Sequence, residues 1–196
     1  IMKNNEMIYL DTIGNNGSGK EFNIRTPMFI GSISKSLTAL ATMQLVEKGL
    51  ISLEDPIKKY IPYFKVASPT LTQNITVKDL LRQTSGLSRK KSIPSSDYDF
   101  SIKKRVKALS DMKGVGKSGQ EFHYLNDNYN ILGLLIQEVS SITYADYMKK
   151  NVFEPIGMVD TTADVENIRQ KNIYGYTNVF GFSKRIKQSV PRYDIP

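Results

Sequence analysis

Between Ile33 and Lys48 the chain reads ISKSLTALATMQLVEK, with apolar residues at Leu37, Leu40, Ala41, Met43, Leu45 and Val46. These positions fall on nearly every side of a 3.6-residue spiral, so the segment predicts a helix over 33–48 that is buried all round and stopped by Gly49. Ile131, Leu134, Leu135 and Val139 share one side of a second spiral and predict a helix over 128–140. Shorter helices follow from caps. Thr76 starts one that runs through Leu81 and ends at Thr84-Ser85-Gly86, and Thr143 with Asp146 forms a capping-box pattern for 144–151. Ile102, Val106 and Leu109 make 101–110 amphipathic, and SLEDPIKKYIPYF gives a short helix closed by Pro62. Period-two patterning is scarce. EMIYLDTI at 6–13 predicts a strand, the turn-rich GNNGSGK follows, and Phe22–Ile24 returns as a second strand. Residues 88–100 read as a polar loop, and 171–196 show no period and are expected to be irregular. No internal repeat is visible.

Length and composition narrow the class. The chain has 196 residues, 40% of them hydrophobic and 23% charged, which fits one soluble globular domain with a sizeable core. No apolar run approaches the roughly 18 residues of a membrane span. The first residue is Ile1 and nothing after it reads as a leader, so the native start and any targeting signal are expected upstream. The absence of cysteine excludes disulfides, thiolate metal sites and a cysteine nucleophile. A formal charge of +8 suits anionic surroundings such as nucleic acid, phospholipid headgroups or acidic wall polymers. Much of that charge sits in Arg89–Lys91 and Lys103–Lys107, with no RNA-binding or zinc-finger pattern beside it, so these read as solvated faces and nucleic acid is not expected as a partner. Gly14, Gly19 and Lys20 imitate a phosphate-binding loop. The match fails at Glu21, where Ser or Thr should hold Mg²⁺, and no apolar helix follows, so a hairpin turn is expected.

The candidate chemistry lies at the start of the first helix. In FIGSISKS, Ser32 and Lys35 are three residues apart, so on a helix their Cβ atoms lie roughly 5–6 Å apart and the amine can reach the hydroxyl. The helix start offers free backbone N–H groups and partial positive charge, which suit a developing oxyanion. An apolar helix strips water from Lys35, which disfavours a charged ammonium and lets the amine take the serine proton. The competing reading is an N-cap serine beside a snorkelling lysine. The same spacing recurs at Ser88–Lys91, Ser101–Lys104 and Ser110–Lys113, but in polar, basic segments. Further along, GQEFHYLNDNYNILGLL places Tyr124 and Asn126 just before a helix. A tyrosine hydroxyl beside a lysine can relay a proton, and an asparagine amide can both donate and accept. Tyr176–Asn178 has the same spacing without the glycine-led approach or the apolar helix. His123 is the only histidine. A Ser–His–Asp triad through it and Asp127 or Asp160 is disfavoured, and one histidine without cysteine leaves too few typical metal ligands.

These blocks resemble the serine β-lactamase-like hydrolases: class C β-lactamases, D-alanyl-D-alanine carboxypeptidases and related esterases. MFIGSISKSLTALATMQLVEKGLISLEDPIKKYIP is similar to their catalytic-helix region, and its S-x-x-K is a motif of penicillin-interacting enzymes. ITVKDLLRQTSGL resembles a family segment ending in H-T-S-G-L, with Gln83 in place of the histidine. GQEFHYLNDNYNILGLLIQEVSSITYADYMKKNVFEPIGMVDTT resembles the Y-x-N region, with Leu125 where the family has Ser or Ala, and runs on to a P-L-G-M-like turn at Pro155–Met158. The ordered resemblance covers about residues 5–165.

The resemblance implies an α/β fold of the β-lactamase/transpeptidase type, a sheet flanked by helices plus an all-α region. The chain would supply its N-terminal and central part: first core strands at 1–31, the nucleophile helix at 32–49, a mainly α region to about 170, and an irregular remainder. It implies acyl transfer to water through an acyl-Ser32 intermediate, with Lys35 as activating partner, Tyr124 as proton shuttle and Asn126 holding the substrate amide. Either Lys35 or Tyr124 is the base. No cofactor or metal is implied. Expected partners are a small-molecule or peptide substrate and an anionic envelope surface, on the outer face of a bacterial envelope, with any membrane anchor outside this chain. The rival reading is a catalytically silent member that binds cell-wall peptides or a protein. The family's third motif, K-T-G or H-x-G, is expected downstream; Lys117-Ser118-Gly119 imitates it but stands too close to Tyr124.

Overall fold

A computed structural model describes residues 1–15, 20–88, 101–164, 167, 174–179 and 182–187. Its elements are β1 (Met2–Lys3), β2 (Glu6–Met7), α1 (Ser34–Glu47), α2 (Pro69–Asn74), α3 (Val77–Leu81), α4 (Ile102–Lys107), α5 (Asn126–Ser140), α6 (Tyr144–Met148), β3 (Tyr174–Val179) and β4 (Phe182–Lys187). They belong to two units, Ile1–Ile30 with Glu166–Val190, and Gly31–Val165 with Pro191–Pro196.

The first unit holds the described strands. β1 and β2 pair antiparallel, Met2 opposite Met7 and Lys3 opposite Glu6. Asn4 and Asn5 turn between them at φ 48° and 67°, the left-handed pair that a two-residue hairpin turn requires. The strand expected over 6–13 is therefore cut to its first two residues. The Ile1 carbonyl accepts the Ile8 and Tyr9 N–H groups at 3.0 and 3.3 Å, but among the described residues no strand continues the ladder beyond them, and Ile8, Tyr9, Leu10 and Ile13 stay exposed. Phe22–Ile24 is likewise not a strand, although Asn15 and Glu21 bridge antiparallel and the Phe22 N–H donates to the Gly14 carbonyl at 3.0 Å, so the chain does fold back there. Within the segment 171–196, where irregular structure is expected, the described residues 174–179 and 182–187 are strands, and the others lie outside the described residues. β3 and β4 pair antiparallel from Tyr174–Lys187 to Val179–Phe182. Gly175 and the charged residues of FSKRIK hide that hairpin from an apolar period-two search, because main-chain pairing does not need an apolar face.

The second unit is helical and is built around α5. Ile131, Leu132, Leu134, Leu135 and Ile136 are fully buried there, a wider face than the one-sided stripe in the sequence indicates. α5 touches α1, α3, α4 and α6, which explains burial on several sides. It starts at Asn126, two residues before the expected boundary, and ends on Ser141 at φ 60°, a left-handed cap. α3 has the full capping box: Thr76 Oγ1 accepts the Asp79 N–H at 3.1 Å and Asp79 Oδ2 accepts the Thr76 N–H at 3.0 Å. α6 has only half of the expected capping box: Thr143 Oγ1 accepts the Asp146 N–H at 3.1 Å, while the Asp146 carboxylate accepts the Thr143 hydroxyl at 2.7 Å instead of a backbone N–H.

α1 departs from the expectation of burial all round. Thr38, Ala41, Thr42 and Leu45 form its covered face, with the Thr38 hydroxyl 2.8 Å from the Tyr144 hydroxyl inside the core. The opposite face leaves Leu40 at 44% and Met43 at 42% exposure. Apolar residues on all sides show that a helix can be covered everywhere; whether it is depends on how many neighbours reach it. The polar loop expected over 88–100 and the basic Arg89–Lys91 lie outside the described residues, except for Ser88.

Candidate active site

The chain reaches α1 through a 3₁₀ turn, Gly31–Ile33, with Gly31 at φ 54°, where a glycine avoids the Cβ clash of the left-handed region. This turn decides how Ser32 is used. Ile33 occupies the cap position of α1 and no side chain caps that helix. Ser32 Oγ instead lies 2.6 Å from Tyr124 OH, across 92 residues of sequence, and accepts from Lys35 Nζ at 3.3 Å. Ser32 is exposed and Lys35 half-buried. Lys35 Nζ also stands 5.3 Å from the centre of the Tyr124 ring and 5.7 Å from that of Tyr129, within cation–π range of both. The Tyr129 hydroxyl donates to the Leu81 carbonyl at 3.2 Å, and burial, with Tyr124 nearby, pushes its phenol above the ordinary range.

Tyr124 reaches Ser32 because its loop is tied to the segment after α3. Gln83 sits at φ 61°, buried, and its carbonyl accepts the His123 N–H at 2.8 Å. Its side-chain Oε1 accepts the Leu125 N–H at 3.0 Å and Asn128 Nδ2 at 2.7 Å. Ser85 Oγ then donates to Asn128 Oδ1 at 2.7 Å, and the Gly119 N–H to the Thr84 carbonyl at 2.8 Å. Gly86 has to be a glycine, since a Cβ there would stand 2.7 Å from the Gly116 carbonyl oxygen. Behind the loop, Arg105 of α4 forms a buried ion pair with Asp127 on the first turn of α5.

The structure thus brings Ser32, Lys35 and Tyr124 together. Asn126 is the first residue of α5, exposed and two residues past Tyr124; the bonds joining the other three do not include it. His123 does not join them either. Its Nε2 lies 3.2 Å from Glu121 Oε2, while Asp127 is taken by Arg105 and Asn130. Ser118 of the Lys-Ser-Gly imitation donates to Asp79 Oδ2 at 2.6 Å and so braces the loop. Sequence reasoning missed two residues. Tyr129 carries no motif, and Gln83 registers only as a departure from a pattern. A hydroxyl nucleophile with a phenol and an amine in reach, at the start of a 14-residue helix, is equipped to attack a carbonyl carbon and to pass its proton on.

Comparison with known proteins gives one consistent answer. A family model described as beta-lactamase matches residues 1–179. Protein flp of Staphylococcus aureus (strain COL) is 34% identical over 147 residues, 73% of this chain and 29% of its own length. A solved octameric penicillin-binding protein homologue from Pyrococcus abyssi is 32% identical with a TM-score of 0.68, over 85% of this chain and 40% of that one. The D-alanine carboxypeptidase AmpC from Burkholderia cenocepacia is 26% identical with a TM-score of 0.68, over 91% of this chain and 48% of that one. The chain therefore spans less than half of each of these proteins, and its fold is the β-lactamase/penicillin-binding type expected of the sequence.

Proposed function

The chain belongs to the β-lactamase family, and on that premise we propose that it carries the nucleophilic half of a serine hydrolase acting on amide or ester bonds. Ser32 Oγ attacks the substrate carbonyl carbon while its proton passes to the Tyr124–Lys35 pair. The tetrahedral adduct collapses, the leaving amine or alcohol takes that proton, and acyl-Ser32 is released by a water that the same pair deprotonates. Asn126, exposed at the first position of α5, holds the substrate amide. The single observation that carries this reading is that the Ser32 hydroxyl serves no cap and is held by Tyr124 and Lys35 instead.

D-alanyl peptides are the substrate class best supported, through the likeness to a D-alanine carboxypeptidase; other esters and β-lactams are the neighbouring classes. An excess of positive charge, +8, suits work beside the anionic polymers of a bacterial envelope. No described helix is long and apolar enough to cross a membrane.

The test is covalent labelling of the full-length protein by a fluorophosphonate and by a fluorescent penicillin. Ser32→Ala abolishes labelling, while Ser101→Ala and His123→Ala retain it. Undiminished labelling of Ser32→Ala overturns the assignment. A loss of about 10⁴-fold in His123→Ala would point to a histidine triad instead. A wild-type protein that binds D-alanyl peptides yet takes no label is a binding module, the rival reading.

A further inference from the structure

We propose that Gln83 is the positioning residue that sets Tyr124 against Ser32, an inference that rests on the active-site reading above and adds a residue to it. Its main-chain carbonyl holds the N–H of His123, at 2.8 Å, and its side-chain Oε1 holds the N–H of Leu125, at 3.0 Å. One residue therefore grips the backbone on both sides of Tyr124. With both neighbouring amides fixed, the Tyr124 side chain leaves the loop in one direction, and in that direction it meets Ser32 Oγ at 2.6 Å. The same Oε1 takes a third donor, Asn128 Nδ2 at 2.7 Å, so the grip is registered to the start of α5, where Asn126 lies.

Two costs argue that this is more than packing. Gln83 is a non-glycine residue at φ 61°, a conformation that side chains with a Cβ resist. Its Nε2 is buried with no partner among the described residues, a state that polar groups in cores avoid. The orientation of the amide is fixed regardless, because the Leu125 N–H can only donate and so faces the oxygen. A strained backbone and an unpaired amide at one position are tolerated where the surroundings over-determine a functional geometry. Here they are concentrated in the one residue that brackets Tyr124.

The test measures the rate and the end point of fluorophosphonate labelling separately, in a double-mutant cycle. Gln83→Met keeps the length and bulk of the side chain and deletes the acceptor. It is expected to slow labelling about 10- to 100-fold, the scale of a misplaced catalytic group, with the labelled fraction at completion unchanged. In a Tyr124→Phe background the same substitution is expected to change the rate by less than about twofold, because Gln83 acts only through the Tyr124 hydroxyl. Gln83→Gly, which suits the left-handed backbone, replaces the methionine variant if that one does not fold. A wild-type rate in either acceptor-less variant overturns the inference, and so does an equal slowing in both backgrounds. The parent reading fails separately, through labelling that survives Ser32→Ala.

Discussion

Replacing Arg105 by alanine should destabilise the chain by about 3 kcal/mol, at the lower end of the range for stripping one partner from a buried ion pair. The cost lies in the carboxylate left behind. Asp127 Oδ1 accepts from Arg105 Nη2 and from Arg105 Nε, both at 2.9 Å, and from Asn130 Nδ2 at 2.9 Å. The two side chains are 10% and 6% exposed, so water cannot take over the arginine's role. Asn130 keeps one bond to the oxygen, and the first turn of α5 favours a negative charge, which is why the lower end applies. For a chain of this size each kcal/mol moves the melting midpoint by about 2–4 °C. The expected fall is therefore about 6–12 °C by circular dichroism, insensitive to salt because a buried pair is little screened. The companion variant Arg105→Met/Asp127→Leu removes both charges and should recover most of the loss, as apolar replacements of buried pairs commonly do. A single variant within about 1 kcal/mol of wild type, or a double variant as unstable as the single, would refute the argument that an orphaned carboxylate is the cost.

Tyr63, Glu138 and Lys103 give a pH prediction with two limbs. Burial alone would raise the Glu138 carboxyl, but hydrogen bonds from Tyr63 and Lys103 overcome it and hold it below 4.5; its stability is present above that value and is lost as pH falls through the lower folded value, so Glu138→Gln should flatten the acid limb of a urea-midpoint profile. Burial, then the Glu138 partner, pushes Tyr63 up to about 12; that contribution is complete below 10 and lost as pH rises from 10 to about 12, so Tyr63→Phe should flatten the alkaline limb. Asp79→Ala removes the carboxylate of the α3 capping box and the acceptor of the Ser118 hydroxyl, and should cost about 2 kcal/mol in urea unfolding, a loss below about 0.5 kcal/mol counting against it. Leu40 and Met43 face outward on α1, so purified 1–196 should associate in light scattering, and Leu40→Gln with Met43→Gln should reduce the apparent mass without changing the melting midpoint by more than a degree or two.

What the sequence made legible follows the range of the interaction involved. Caps are local: Thr76 and Asp79 form the box their spacing announces, and Thr143 caps its helix although Asp146 does not return the bond to the backbone. Helical periods are local too, and α1 and α5 start and stop within a residue or two of the pattern. Strands are sought by apolar alternation but made by main-chain pairing, which explains why the apolar run at 8–13 forms no strand among the described residues while the weakly patterned β3 and β4 pair fully. The link from Ser32 to Tyr124 spans 92 residues and no periodicity implies it. Only the order of whole blocks, in the likeness to a family, suggested that the two meet. Gln83 was invisible for a further reason. Part of its work is done by a carbonyl, which every residue has, and its side-chain oxygen meets a backbone amide as well as Asn128, so residue identity alone does not reveal the grip on Tyr124.

The repeated S-x-x-K spacing shows how little a motif decides without its backbone. At Ser101 the helix begins at once, and Ser101 Oγ accepts the backbone N–H of Lys104 at 3.4 Å. The hydroxyl is spent on a cap. At Ser32 the left-handed Gly31 and the 3₁₀ turn put Ile33 in the cap position, so the serine stands one residue outside the helix. The donor that reaches its oxygen is again the lysine three residues on, but now through Nζ, at 3.3 Å, in place of the main-chain N–H. Two identical spacings therefore present the same pair of residues in two chemical states: one hydroxyl that stabilises its own helix, and one that remains available to a phenol and an amine. The glycine before the serine, not the lysine after it, separates them. It follows that Gly31→Ala should disturb Ser32 more than any change at Ile33. A Cβ at φ 54° is strained, and the turn can relax toward an ordinary cap. Slower fluorophosphonate labelling with little change in unfolding free energy would report that shift, and labelling at the wild-type rate would show that the turn does not govern the hydroxyl.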